Sequence, residues 1–150
     1  MNFEMPMSES ESLIREVVES GGEFRLYPKG TSMLPLIHQG KDSVILTRIK
    51  ENIKVGDVPL YKRGDGQYVL HRIVRKEKDG TYTMCGDNQT ALEKGIKKEQ
   101  MIAVVSAICH GEKRVDTNKF SYKCYCFLWR SFFVRKVYFK LRKLIRGKKQ

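Results

Sequence analysis

No stretch of this chain reaches the ~20 consecutive apolar residues that cross a bilayer. Its most apolar region is cut by Lys123, Arg130, Arg135 and Lys136, so a membrane-spanning helix is not expected. The opening residues, MNFEMPMSESES, have neither a basic start nor an apolar centre and do not read as a secretory signal. The expected location is therefore the cytoplasm. Cysteine is also scarce. Cys85, Cys109, Cys124 and Cys126 form no Cys-x-x-Cys pair, and the three histidines form no HExxH pattern. That excludes the usual zinc frameworks, so neither a metal nor a cofactor is expected, and the thiols read as reduced.

Acidic residues are missing from one region only. Residues 117–150 hold eleven Lys/Arg and no Asp/Glu, which leaves 29 − 11 = 18 basic against 17 acidic residues in the other 116. A net charge of +12 suggests nucleic acid until it is located. The body is nearly neutral and lacks the spaced Gly-aromatic signature of an RNA-recognition sheet, so nucleic acid is not the expected partner.

In the tail, Val134, Val137, Tyr138, Leu141, Leu144 and Ile145 repeat at helical spacing, with Arg135, Lys136, Arg142, Lys143 and Arg146 on the opposite arc. An amphipathic basic helix of this kind suits an anionic membrane surface, which would place the protein on the inner face of the membrane. The upstream segment FSYKCYCFLWRSFF is dense in aromatics. Packing of the tail on the body is the alternative. If the tail is an appendage, the near-neutral body should fold without it.

What remains is rich in short strands. Residues 8–19 predict a helix, with serine caps, early acids and Leu13, Val17 and Val18 at helical spacing before Gly21-Gly22. The segments EFRLYP, SVILTRI, DVPLYKR, QYVLHRIV, TYTMCGD and MIAVVSAIC then alternate with Gly, Asp and Asn turns too short for helical crossovers. The expected class is mainly β: a coiled antiparallel β domain with a short N-terminal helix and a C-terminal amphipathic helix. Its segments are 1–21, 22–112 and 113–150.

Within that frame, KGTSMLPLIHQG holds Ser32 between Gly30-Thr31 and Met33-x-Pro35. A serine hydroxyl is a weak nucleophile unless a base takes its proton. His71, in QYVLHRIV, shares a strand face with Val69 and Ile73 and can be held rigidly. His38 is only six residues past Ser32 on a turn, and His110 lies at the exit of the last strand. A triad also needs a group that fixes the base's tautomer, and CGDNQ offers Asp87.

The series GTSMLPLIHQGKDSVIL, VGDVPLYKR, YVLHRIV and CGDNQ, from about Gly30 to Val105, resembles the type I signal peptidases and the related SOS-response repressor peptidases. The resemblance implies a β-rich peptidase fold of signal-peptidase type with Ser32 as nucleophile. It also implies His71 as base, as in the endoplasmic-reticulum and archaeal type, where bacterial relatives use lysine. A carboxylate at Asp87, or six residues on at Glu93 where the family has aspartate, would orient the imidazole. The family often has a serine two residues before the nucleophile. Gly30 stands there, so an oxyanion hole would rest on the backbone N–H of Ser32, with Thr31 contributing. A second departure is Gly40-Lys41-Asp42, with one residue inserted into the family's Gly-Asp.

The implied activity is serine endopeptidase: hydrolysis of peptide bonds, as in signal-peptide processing, in a peptide or precursor protein that pairs with strand edges. The base implies an acid limb near the imidazole's ~6.5. The competing expectation is a non-catalytic peptide- or membrane-binding module on the same fold.

Overall fold

The computed structural model describes residues 6–148; residues 1–5 of the first segment and 149–150 of the tail lie outside the described residues. Helix α1 (Met7–Glu19) starts directly after Pro6, whose fixed φ suits a helix entry and whose carbonyl accepts the N–H groups of Glu9 and Ser10. No side chain caps it, so the expected serine caps are not used. Ile14 and Val18, one turn apart, are its buried pair. Leu13, expected to face the core, lies about 100° around the helix from Ile14 and is exposed.

Nine strands follow. They are β1 (Phe24–Leu26), β2 (Asp42–Thr47), β3 (Pro59–Lys62), β4 (Tyr68–Leu70), β5 (Arg72–Lys76), β6 (Tyr82–Cys85), β7 (Glu93–Ile96), β8 (Met101–His110) and β9 (Lys113–Asp116). The larger sheet runs β1-β2-β8-β3-β4, with β9 also on β8, and the smaller runs β5-β6-β7. All pairings are antiparallel.

The ten-residue β8 is the spine. β2 lies along one edge, while β3 and β9 occupy successive stretches of the other. One core joins α1 to the larger sheet through Ile14, Val18, Val44, Leu46, Leu60 and Ile108. A second, around Ile53, Tyr61, Ile73, Met84 and Met101, fills the space between the sheets. His71 is the single residue between β4 and β5, where the chain passes from one sheet to the other.

Two expectations are corrected. Helices α2 (Phe120–Arg130) and α3 (Phe132–Gly147) give helix a share similar to that of strand, so the protein is a mixed antiparallel α and β fold rather than mainly β. A boundary after residue 112 also cuts the β8–β9 hairpin, because Lys113–Asp116 completes the larger sheet. The tail is no separate appendage: Tyr122 of α2 is buried in the main core.

Candidate functional site

Ser32 opens a tight turn in which Leu34 N–H donates to Thr31 O and Ile37 N–H to Met33 O. Met33 and Ile37 anchor that turn in the main core. Gly30, two residues before Ser32, has φ +88°, a left-handed conformation that explains glycine at this position. Its N–H donates to the Gln39 side chain at 2.7 Å. The Leu34–Pro35 peptide bond is cis. Among the described residues, the N–H groups of Thr31 and Ser32 donate to no protein acceptor.

The Gly86-Asp87-Asn88 turn backs this loop. Asn88 N–H donates to Ser32 O at 2.9 Å, and the Asn88 side-chain amide donates to Thr31 O at 3.0 Å. A Cβ on Gly86 would lie 2.6 Å from Ser32 O. Glycine is therefore needed here for close approach, not for an unusual φ. The Gly-Asp-Asn turn thus braces the Ser32 loop through Asn88, while its Asp87 makes no hydrogen bond to His71.

Ser32 and His71 line the same open pocket of about 290 Å³, with Arg63, Tyr68 and Gln89 among its other walls. No hydrogen bond joins Ser32 Oγ to the ring among the described contacts. Such bonds commonly tighten only when substrate is in place. His71 is buried, and its Nδ1 is 3.4 Å from the Tyr61 hydroxyl. Tyr61 donates its one proton to Glu93 Oε2 at 2.9 Å, so its oxygen is left to accept Nδ1–H. That selects the tautomer with a free Nε2, the form a general base requires.

Arg63 in turn holds Glu93, with contacts of 2.9 Å from Nε and 2.7 Å from Nη2. Burial alone would raise the Glu93 carboxyl, but its bonds from Arg63 and Tyr61 outweigh it and hold the group below 4.5. Burial and the Glu93 charge push the Tyr61 phenol well above its ordinary range, so it stays neutral. Burial first, and the Arg63 charge second, hold the His71 imidazole below 6.5, while Glu93 and Asp87 pull the other way. His71 is thus neutral at neutral pH.

The expected role of Asp87 needs correction. Its carboxylate is fully buried and accepts Arg72 Nε at 2.8 Å and Nη2 at 2.7 Å. It also accepts the Tyr125 hydroxyl at 2.8 Å. It makes no hydrogen bond to His71. His71 and Arg72 are successive residues and point to opposite sides of the extended chain, so the carboxylate that meets Arg72 lies behind the base. Of the two expected carboxylates, Glu93 is the one connected to the imidazole, through Tyr61. Counting across the Arg63–Gln67 turn, where Tyr61 pairs with Val69, would have put Tyr61 on the face that also carries His71.

The tail helices complete the Asp87 network. Trp129 Nε1 donates to Asp87 O at 2.8 Å, and Arg135 Nη1 donates to Gly86 O at 2.9 Å and Gln89 O at 3.1 Å. Arg135 Nη2 is 3.8 Å from Asp87 Oδ1. Arg135 is fully buried, so its expected place on a lipid-facing helix is wrong: with Asp87 beneath it, its charge is used inside the protein. Tyr138 also turns inward, edge-on to Trp129, and Val134 is half-buried. Val137, Leu141, Leu144 and Ile145 do stand exposed. So do Phe127 (75% exposed) and Phe133 (76% exposed), which extend the apolar surface onto both helices.

His38 and His110 lie elsewhere, both against Asp42 at 3.1 and 3.0 Å. A larger cavity of about 760 Å³ adjoins the Ser32 pocket, sharing Pro28, Lys29, Tyr68 and Leu70. It lies between β1 and β4, the two end strands of the β1-β2-β8-β3-β4 run. Among the described residues no cluster of His, Cys, Asp and Glu is built to hold a metal ion, and no helix is long and apolar enough to cross a membrane. Comparisons of the chain with protein-family models, curated proteins and solved structures give no match.

Proposed function

We propose that the protein is a serine endopeptidase of the signal-peptidase type, with Ser32 as nucleophile and His71 as general base. The observation that carries this reading is the shared pocket. It brings together a half-buried serine on a braced turn and a neutral imidazole whose Nδ1 is occupied by Tyr61. In the reaction, Nε2 takes the Ser32 proton as Oγ attacks the scissile carbonyl. The imidazolium returns that proton to the leaving amine, and water then hydrolyses the acyl-enzyme by the same route. The charge on Glu93, relayed through the Tyr61 hydroxyl, favours the imidazolium as it forms. The Ser32 N–H meets the oxyanion.

An extended peptide would enter along the groove between β1 and β4 and pair with their free edges. The exposed apolar face of α2 and α3, bordered by lysines and arginines with no acid among them, suits an anionic membrane surface. Its substrates would then be cleaved close to that surface.

The test is intact mass spectrometry after exposure to a neutral fluorophosphonate probe, which reports an activated serine without a known substrate. The wild type should gain one adduct and Ser32→Ala none, while His71→Ala should react on the order of 10³-fold more slowly. Equal labelling of wild type and Ser32→Ala would exclude Ser32 as the activated hydroxyl.

A further inference from the structure

Beside the nucleophile loop lies a second cavity of about 480 Å³, which shares no lining residue with the Ser32–His71 pocket. Thr31 and Leu34 of the loop form one wall, Asn88 the floor, and Phe139, Arg142, Lys143 and Arg146 of α3 the other wall. These four helix residues recur at i, i+3, i+4 and i+7 and so share one face. Asn88 ties the two walls together: its amide donates to Thr31 O, and its Oδ1 accepts Arg142 Nη1 at 3.2 Å. One guanidinium is thus held in register with the residue immediately before Ser32. Lys143 and Arg146 meet no carboxylate among the described residues. Residues 117–150 contain none to offer. Three cations line an open depression that has no carboxylate among its lining residues.

We propose that this cavity is a subsite for an acidic side chain of the peptide substrate, placed close to the scissile bond. The inference rests on Ser32 being the nucleophile. Arginine beside a carboxylate forms short charge-assisted hydrogen bonds, and Lys143 and Arg146 add charge without steric closure. A lipid headgroup is disfavoured by the helix geometry. Leu141 and Leu144 are each two residues from cavity-lining positions, which is ~200° around an α-helix. If the apolar stripe lies in a membrane, the cavity opens towards the protein body instead. The subsite makes the peptidase selective for precursors with acid near the cut, through a charge attraction that a neutral side chain does not supply.

Fluorescence anisotropy on full-length Ser32→Ala protein tests this in ~0.15 M salt, where exposed charges are screened beyond about 8 Å. The probes are tetramethylrhodamine-labelled octapeptides of alternating alanine with either glutamate or glutamine. The glutamate peptide should bind about tenfold or more tightly than its glutamine twin. The triple variant Arg142→Gln/Lys143→Gln/Arg146→Gln should lose that preference. Lys136→Gln/Lys140→Gln/Lys148→Gln removes the same charge from outside the cavity and should keep it.

Equal binding of the two peptides, or equal loss in both triple variants, overturns the proposal. So does a loss of phosphatidylglycerol-vesicle binding confined to the cavity triple, which would mark a headgroup site. Trp129 fluorescence verifies that each variant is folded. Because Ser32→Ala binds without turnover, this result does not depend on catalysis. Fluorophosphonate labelling of the wild type reads the nucleophile separately, so failure of the subsite is distinguishable from failure of the nucleophile assignment.

Discussion

Asp87→Asn separates two roles that a triad-like sequence leaves confounded. If Asp87 oriented the base, the substitution would spare the fold and damage the chemistry. The structure requires the reverse order of effects. Among the described residues, Asp87 is the only carboxylate in contact with two fully buried guanidiniums, Arg72 and Arg135. Burial disfavours the charged Arg72, but the Asp87 charge and hydrogen bonds more than restore it. Neutralising Asp87 leaves two interior cations with one dipolar amide between them. Removing one partner of a buried pair costs about 3–5 kcal/mol, a large part of the ~5–15 kcal/mol that holds a domain together.

At a urea dependence of about 2 kcal/mol per molar, the midpoint should fall by roughly 1.5–2.5 M. The assay is already in the chain. Trp129 is the single tryptophan; it is buried, stacked on Tyr125, and bonded to the Asp87 carbonyl. Its emission reports this network directly. Replacing both members of the pair, in Arg72→Met/Asp87→Leu, should recover part of the loss, because no uncompensated Arg72 charge then remains in the interior. An Asp87→Asn protein with an unchanged urea midpoint but a displaced pH profile of labelling would refute this reasoning and return Asp87 to the base.

For the base itself, fluorophosphonate labelling should rise with pH along a limb lying below 6.5, because burial and Arg63 hold His71 down and the neutral ring is the reactive form. Glu93→Gln removes an anion that favours the imidazolium and should move that limb to lower pH; Arg63→Gln should move it higher, and a limb unmoved by both would break the Tyr61 relay. Gly86→Ala, which sets a methyl 2.6 Å from Ser32 O, should cut labelling at least tenfold through displacement of the loop, measured against unchanged labelling as the contrary outcome. Leu141→Asp should abolish sedimentation with anionic vesicles while leaving the unfolding free energy within about 0.5 kcal/mol of wild type, since that side chain is largely exposed to solvent.

The strands were legible because their β-branched and aromatic runs are separated by Gly, Asp and Asn, and such punctuation reads locally. Ser32 and His71 each sit in a distinctive short sequence, and the structure puts both on one pocket. What failed were inferences about which face a residue presents or which distant group it meets. Arg135 is chemically suited to a basic helix surface. Only the fold reveals the Gly86, Gln89 and Trp129 carbonyls and the Asp87 charge beneath it. Asp87 was read with His71 because both belong to one motif series, but strand alternation sends His71 and Arg72 to opposite sides, and the carboxylate follows the arginine.

The tail shows why composition alone assigned its charge to the wrong place. Counted by sequence, eleven basic residues sit outside a neutral body; counted in space, Arg135 is interior and Arg142 touches the Asn88 side chain. Tail donors hold the Gly86, Asp87 and Gln89 carbonyls, and that turn in turn holds Ser32 O and Thr31 O. These contacts run against the expectation that the body folds alone. Truncation after Asp116 removes Tyr122 from the main core and every tail bond to this turn, while Asp87 keeps only Arg72. The truncated chain should lose Ser32 labelling and lower its urea midpoint, followed by circular dichroism because the tryptophan is gone. A truncated protein with wild-type midpoint and labelling rate would show that the nucleophile loop is braced without the tail. The opposite result would make α2 and α3 part of the catalytic scaffold as well as the candidate membrane face.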